Sequence, residues 1–245
     1  MKKILIFAAA AASMFTSCDI ERTPYDKYLE DDIANDKEAV NVILNGCYGQ
    51  LRDWSDVMHR VGEYAGDNMM IRGSSTDAFY EFISYQHSPQ NYRLNTFWNN
   101  SYKVISQSSD LMKSLEEGTS PEMDQKLGEA YYLRGMMYFY LCRAYGRPYD
   151  QSPETNLGVP ILNGLPADLD NLNLPDRSTV KDTYAQAISD LREGERLMNE
   201  ARSAIYASKE VAQAMLSRVY LYMSGTWKNP NTQYADSAID RKSVV

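Results

Sequence analysis

The sequence predicts a mainly α fold, made of tetratricopeptide-like helical hairpins with long connecting loops. Three observations carry this. Apolar residues recur in alternating steps of four and three, which places them on one face of a helix. Start signals such as Ser120-Pro121 and Thr179 with Asp182 stand directly before those runs, and glycines stand after them. Part of the pattern also repeats. Tyr102 to Tyr138 is 36 positions and so is Tyr184 to Tyr220; a shift of 82 lays "YFYL" at 138–141 over "YLYM" at 220–223. That spacing is close to the tetratricopeptide period of about 34 residues.

The elements follow in order. A first helix reads from Asp36 to Trp54, with Val40, Leu44, Cys47, Leu51 and Trp54 on one face, and a separate short piece covers Asp56 to Glu63. Gly46 and Gly49 lower its helix propensity, and close approach of a neighbouring backbone is the expected reason. Residues 64–94 mix Gly, Ser, Asp and Asn with aromatic residues and hold no sustained period, so a long loop is expected there. From Thr96 a helix resumes through Trp98, Tyr102, Ile105, Ser109 and Met112. Ser120 caps the next, which carries Leu127, Ala130, Arg134, Met137 and Leu141 to about Tyr145. A proline-punctuated connector leads to a helix starting at Thr179, with Val180, Tyr184, Ala187 and Leu191 in register. Ser208 caps a last clear helix through Val211, Met215, Val219 and Tyr222, ended by Gly225. No hairpin turn flanked by alternating apolar residues stands out.

Composition narrows the function classes. The chain has 245 residues and a net charge of −8, a poor balance for binding nucleic acid. Tyrosine is over-used, 19 against 6 phenylalanines. Its flat apolar ring with a polar tip suits both helix packing and a wet sugar-binding surface. Cys47 and Cys142 fall among apolar helical positions and read as small core residues, although an exported protein could pair them.

The N-terminus has the layout of an export signal: Lys2 and Lys3, then an apolar run from Ile4 to Ala12, then small residues up to Cys18. The run is too short to span a bilayer. Phe15-Thr16-Ser17-Cys18 resembles a bacterial lipobox, which implies cleavage before Cys18 and lipidation of its thiol. Residues 1–17 are then a signal peptide and 18–35 a solvated, acidic tether. Acyl chains at Cys18 hold such a protein to a membrane without spanning it.

Four segments, "DKEAVNVILNGCYGQL", "FWNNSYKVISQSSDLM", "GEAYYLRGMMYFYLCRAYGRPY…NLGVPIL" and "RSTVKDTYAQAISDL…ASKEVAQAMLSRVYLYM", resemble in this order the N-terminal half of the SusD/RagB family. These are surface nutrient-binding lipoproteins of Bacteroidota. The resemblance implies an α-helical, tetratricopeptide-like protein, lipid-anchored in the outer membrane and surface-exposed. It would capture oligosaccharide or peptide for a TonB-dependent, SusC-like barrel transporter, without bond-making chemistry and with no cofactor. Family members are roughly twice this length. "NPNTQYADSAID" reads as the entry to a further helix before the chain closes in "RKSVV", so residues 36–245 are expected to be an incomplete helical domain. The alternative, from a different class, is a tetratricopeptide-like envelope scaffold with no small-molecule site.

The candidate ligand-binding residues lie in the 64–94 segment: Asp67, Asn68 and Arg72 for hydroxyl groups, Tyr80 and Tyr85 for the faces of sugar rings. Two readings stand, because Asp67 and Asn68 can equally cap turns while the tyrosines pack beneath them. Trp98, Tyr102, Tyr138 and Tyr220 are assigned to core packing, and Arg134, inside an apolar face, to a buried ion pair. The acidic pairs Asp31/Asp32 and Glu116/Glu117 flank helices and read as solvated. His59 and His87 lack metal-ligand spacing, and no nucleophile elbow or phosphate loop occurs.

Overall fold

The structure, a computed structural model, describes residues 36–66, 69–71, 76–86, 88–162, 174–199 and 202–242. Among these the chain forms α1 (Lys37–Tyr64), α2 (Tyr80–Ile83), α3 (Tyr92–Ser114), α4 (Pro121–Tyr145), α5 (Val180–Leu197) and α6 (Lys209–Met223). A two-stranded ribbon follows, β1 (Gly225–Thr226) against β2 (Asn229–Pro230), and then α7 (Thr232–Lys242).

Caps set the helix starts. Asp36, Ser120, Thr179 and Ser208 each accept a hydrogen bond from a backbone N–H of the first turn, satisfying donors that no helical carbonyl can reach. Pro121 occupies the first turn of α4, where its missing N–H costs nothing. α3 begins four residues before the expected Thr96, because Asn91 accepts from the N–H groups of Arg93 and Leu94. α1 does not break between Trp54 and Asp56. It continues to Tyr64, with Trp54 and Val57 buried on either side of the expected interruption, and the Asp56–Arg60 pair, 2.8 Å apart and one turn apart in sequence, supports the turn beyond it.

α1, α3, α4, α5, α6 and α7 pack in succession, each against the next, as in a helical repeat array. α4 lies innermost. It is buried nearly all round, from Met123 to Cys142, so its apolar residues form no single stripe. Trp54 of α1 reaches over this core: its indole N–H donates to Ser101 Oγ at 2.9 Å, and its ring meets Phe97 and Tyr140. Cys47 and Cys142 are buried, unpaired thiols.

The expected close approach at Gly46 and Gly49 is not there; a Cβ at either would meet nothing within 4 Å. Close approach occurs instead between α4 and α5. A Cβ on Gly135 would lie 2.9 Å from the Ala187 carbonyl oxygen, and one on Gly194 would lie 3.0 Å from that of Gly128. The short β1–β2 ribbon is an element that the alternation pattern does not show, since two residues per strand carry no period. On α6 the buried face is Ala212, Met215, Leu216, Val219 and Tyr220, while Val211 and Tyr222 lie at its exposed margin.

Tyrosine hydroxyls hold the proline-rich connector. Tyr102 donates to the Pro160 carbonyl (2.9 Å), and Tyr138 donates to that of Leu162 (2.9 Å) while accepting from its N–H. Arg177 donates to the carbonyls of Gly158, Leu157 and Tyr145. These positions therefore do more than pack: ring in the core, hydroxyl on the loop.

Candidate functional site

The C-terminal turns of α1 are a platform for the segment leading into α3. Phe79 is the buried centre of this region. The guanidinium of Arg60 lies 5.3 Å from its ring centroid and that of Arg93 4.6 Å, with Tyr64 edge-on at 5.5 Å. Asp56 pairs with both arginines. The Asn91 side-chain amide donates to the Ala78 carbonyl (2.8 Å), and Glu81 accepts from Ser88 N–H (2.8 Å). The segment from Ala78 to Asn91 is thus tied at several points and includes the single-turn α2.

Tyr80 opens α2 and is half-buried. Tyr85 ends the same turn in a left-handed backbone conformation, φ 55°, with 65% of its surface exposed. Its hydroxyl donates to the Ala65 carbonyl at 2.9 Å, tying the turn to the end of α1. Asp67, Asn68, Arg72 and His87, like Cys18, lie outside the described residues. Tyr92, which the residue pattern did not single out, stands beside Asn91, 57% exposed, with the Arg93 guanidinium 4.8 Å over its ring. Its adjacency to a helix cap was the only signal for it.

A groove of about 530 Å³ adjoins this unit, between the Val57–Glu63 turns of α1, Leu94 and Phe97 of α3, and the end of α4. Arg143 lies 4.2 Å over the Tyr222 ring at its wall, and His59 and Glu63 supply polar edges. Rings presented beside fixed polar groups can stack on a flat apolar face and hydrogen-bond its hydroxyls. The acidic pair at 116–117 is exposed, and Glu117 is gripped at the surface by Arg196 at 2.7 and 2.8 Å, which holds its carboxyl below the usual range. Among the described residues no three His, Cys, Asp or Glu side chains are grouped to hold a metal, and no helix is long and apolar enough to cross a membrane.

The fold has solved counterparts. A SusD superfamily protein from Bacteroides thetaiotaomicron is 28% identical, with a TM-score of 0.67 over 84% of this chain and 45% of that one. A putative sugar binding protein from Bacteroides vulgatus is 27% identical, with a TM-score of 0.68 over 84% of this chain and 46% of that one. A structure solved with xylogluco-oligosaccharide shares the fold at 20% identity, with a TM-score of 0.62 over 82% of this chain and 39% of that one. The chain therefore spans a little under half the length of these structures. No curated protein sequence matches it significantly. The family model for SusD-like proteins, described as "Starch-binding associating with outer membrane", matches residues 20–221. That match takes in the tied aromatic segment, the connector and all of α1 to α5, and the chain belongs to the SusD-like family.

Proposed function

We propose that the chain acts as a cell-surface glycan-binding lipoprotein, capturing oligosaccharide and delivering it to a TonB-dependent outer-membrane transporter. In this reading residues 1–17 are removed, Cys18 carries the lipid, and residues 18–35 space the helical domain from the membrane. The family description supports sugar binding at the outer membrane, as does a xylogluco-oligosaccharide bound to a protein of the same fold.

The observation that carries the reading is Tyr85. A left-handed conformation costs a bulky residue about 1–2 kcal/mol, and Tyr85 adopts one with its ring exposed to solvent rather than buried. Strain kept at an exposed aromatic residue supports a working role for it. Tyr92 supplies a second exposed ring on the same tied segment. The role is binding without bond-making.

Titration of the chain with neutral oligosaccharides, followed by tryptophan fluorescence, tests this. Trp98 packs against Tyr145 at 4.9 Å, on the helix that Tyr92 opens, and is the reporter. A saturable change is expected, with no release of reducing ends. Tyr85→Asn tolerates the left-handed backbone but removes the ring, and should weaken binding about two- to tenfold. A flat response across the panel would favour an interaction scaffold instead.

A further inference from the structure

A second groove, of about 570 Å³, lies on the far side of α5 from α4. Its floor is Ala185 and Ser189, both exposed and short, so a ligand can lie close along the helix. Lys181 and Arg192 stand at its two ends, eleven residues or about 16 Å apart along the axis. Tyr149 from the connector, Tyr220 of α6 and Tyr234 of α7 form the wall. The Tyr220 and Tyr234 rings are nearly parallel, 11° apart with centroids 6.2 Å apart, and Tyr149 meets Tyr234 edge-on at 5.9 Å.

The charges in this groove are unevenly matched. Glu193 is held by Arg196 at 2.7 Å, and Lys181 pairs with Glu154 at 3.7 Å. The nearest partner of Arg192 is neutral: it donates to the Tyr220 hydroxyl at 2.7 Å. Among the described residues no carboxylate pairs with it. Arg134, Arg196, Arg202 and Arg241 by contrast each sit on one. A guanidinium has five N–H donors in a planar fork that matches a carboxylate, and the phenol both orients this fork and uses only one of its faces.

We propose that this groove binds the uronate-bearing part of an acidic oligosaccharide. The half-buried faces of Tyr149 and Tyr234 lie against the sugar rings, and the free donors of Arg192 take the carboxylate. The proposal rests on the glycan-binding reading above and adds a class of sugar and a place for it.

Calorimetric titration with a short oligogalacturonate, beside a neutral xylogluco-oligosaccharide, tests both ideas separately. The acidic ligand should bind, weaken as salt is raised, and lose about ten- to hundredfold in Arg192→Gln, the worth of charge-assisted hydrogen bonds. Arg192 is exposed, so this variant should keep the wild-type melting temperature. Arg192→Lys, which keeps the charge but not the fork, should recover only part of the affinity. Equal affinity in Arg192→Gln overturns the proposal. Binding of the neutral ligand alone overturns it while leaving the glycan-binding reading standing, and binding of neither ligand overturns both.

Discussion

Arg134 and Asp190 face each other across α4 and α5 with two short bonds, Nε to Oδ2 at 2.8 Å and a terminal nitrogen to Oδ1 at 2.7 Å. Ser109 of α3 accepts a third from the same guanidinium at 3.1 Å, and Gln186 donates to the same carboxylate. Asp190 is only 2% exposed. Removing one partner strands a buried charge, which costs about 3–5 kcal/mol, whereas replacing both with apolar groups of similar volume can be neutral. Arg134→Met should therefore lower the urea midpoint sharply, and Arg134→Met with Asp190→Leu should recover most of it. An arginine on an apolar helix face was legible in the sequence as one half of an ion pair. Its partner was not, because 56 positions separate the two and only the α4–α5 packing joins them.

At the scale of the element, glycine has opposite meanings in α1 and in the α4–α5 pair. Gly46 and Gly49 face open space, so their lack of a side chain only weakens the helix. Gly46→Ala and Gly49→Ala should each stabilise the protein by about 0.5–1 kcal/mol. Gly135 and Gly194 let two backbones meet. An added methyl there would press on the Ala187 carbonyl or the Gly128 carbonyl. Overpacking costs about 1–3 kcal/mol, more than the helix gains from alanine. Gly135→Ala and Gly194→Ala should thus lower the melting temperature, and chemical denaturation of the four variants checks both signs together.

The whole molecule carries its tyrosines as a pH-dependent store of stability. Burial pushes the hydroxyls of Tyr138 and Tyr145 up to about 12, and raises those of Tyr48, Tyr102, Tyr132 and Tyr184 as well. In the unfolded chain they titrate near the ordinary value of about 10. Below about pH 10 both states keep the proton and stability is full. Above it the unfolded chain loses protons first, so stability falls as pH rises toward the folded values. Cooperative alkaline unfolding is expected between about pH 10 and 12, with ellipticity and phenolate absorbance changing together. The thiols of Cys47 and Cys142, pushed up to about 12 by burial, should stay unreactive to a thiol reagent until that transition.

The sequence by itself determined the helical class, the caps at Ser120, Thr179 and Ser208 and the paired hairpins, because each rests on local chemistry. A cap needs only its own first turn, and a buried stripe needs only the helical period. Tertiary structure decided the rest. It carried α1 through Ser55, since packing on α3 and α4 outweighed a break in the apolar pattern. Tyr138 and Tyr220 were legible as core positions, but tertiary structure put the Tyr138 hydroxyl on the connector, left Tyr85 and Tyr92 exposed, and gathered Tyr149 and Tyr234 beside Tyr220 around one groove. No spacing rule encodes that division, because a tyrosine ring suits core and surface alike, and which it meets depends on helices that are distant in sequence.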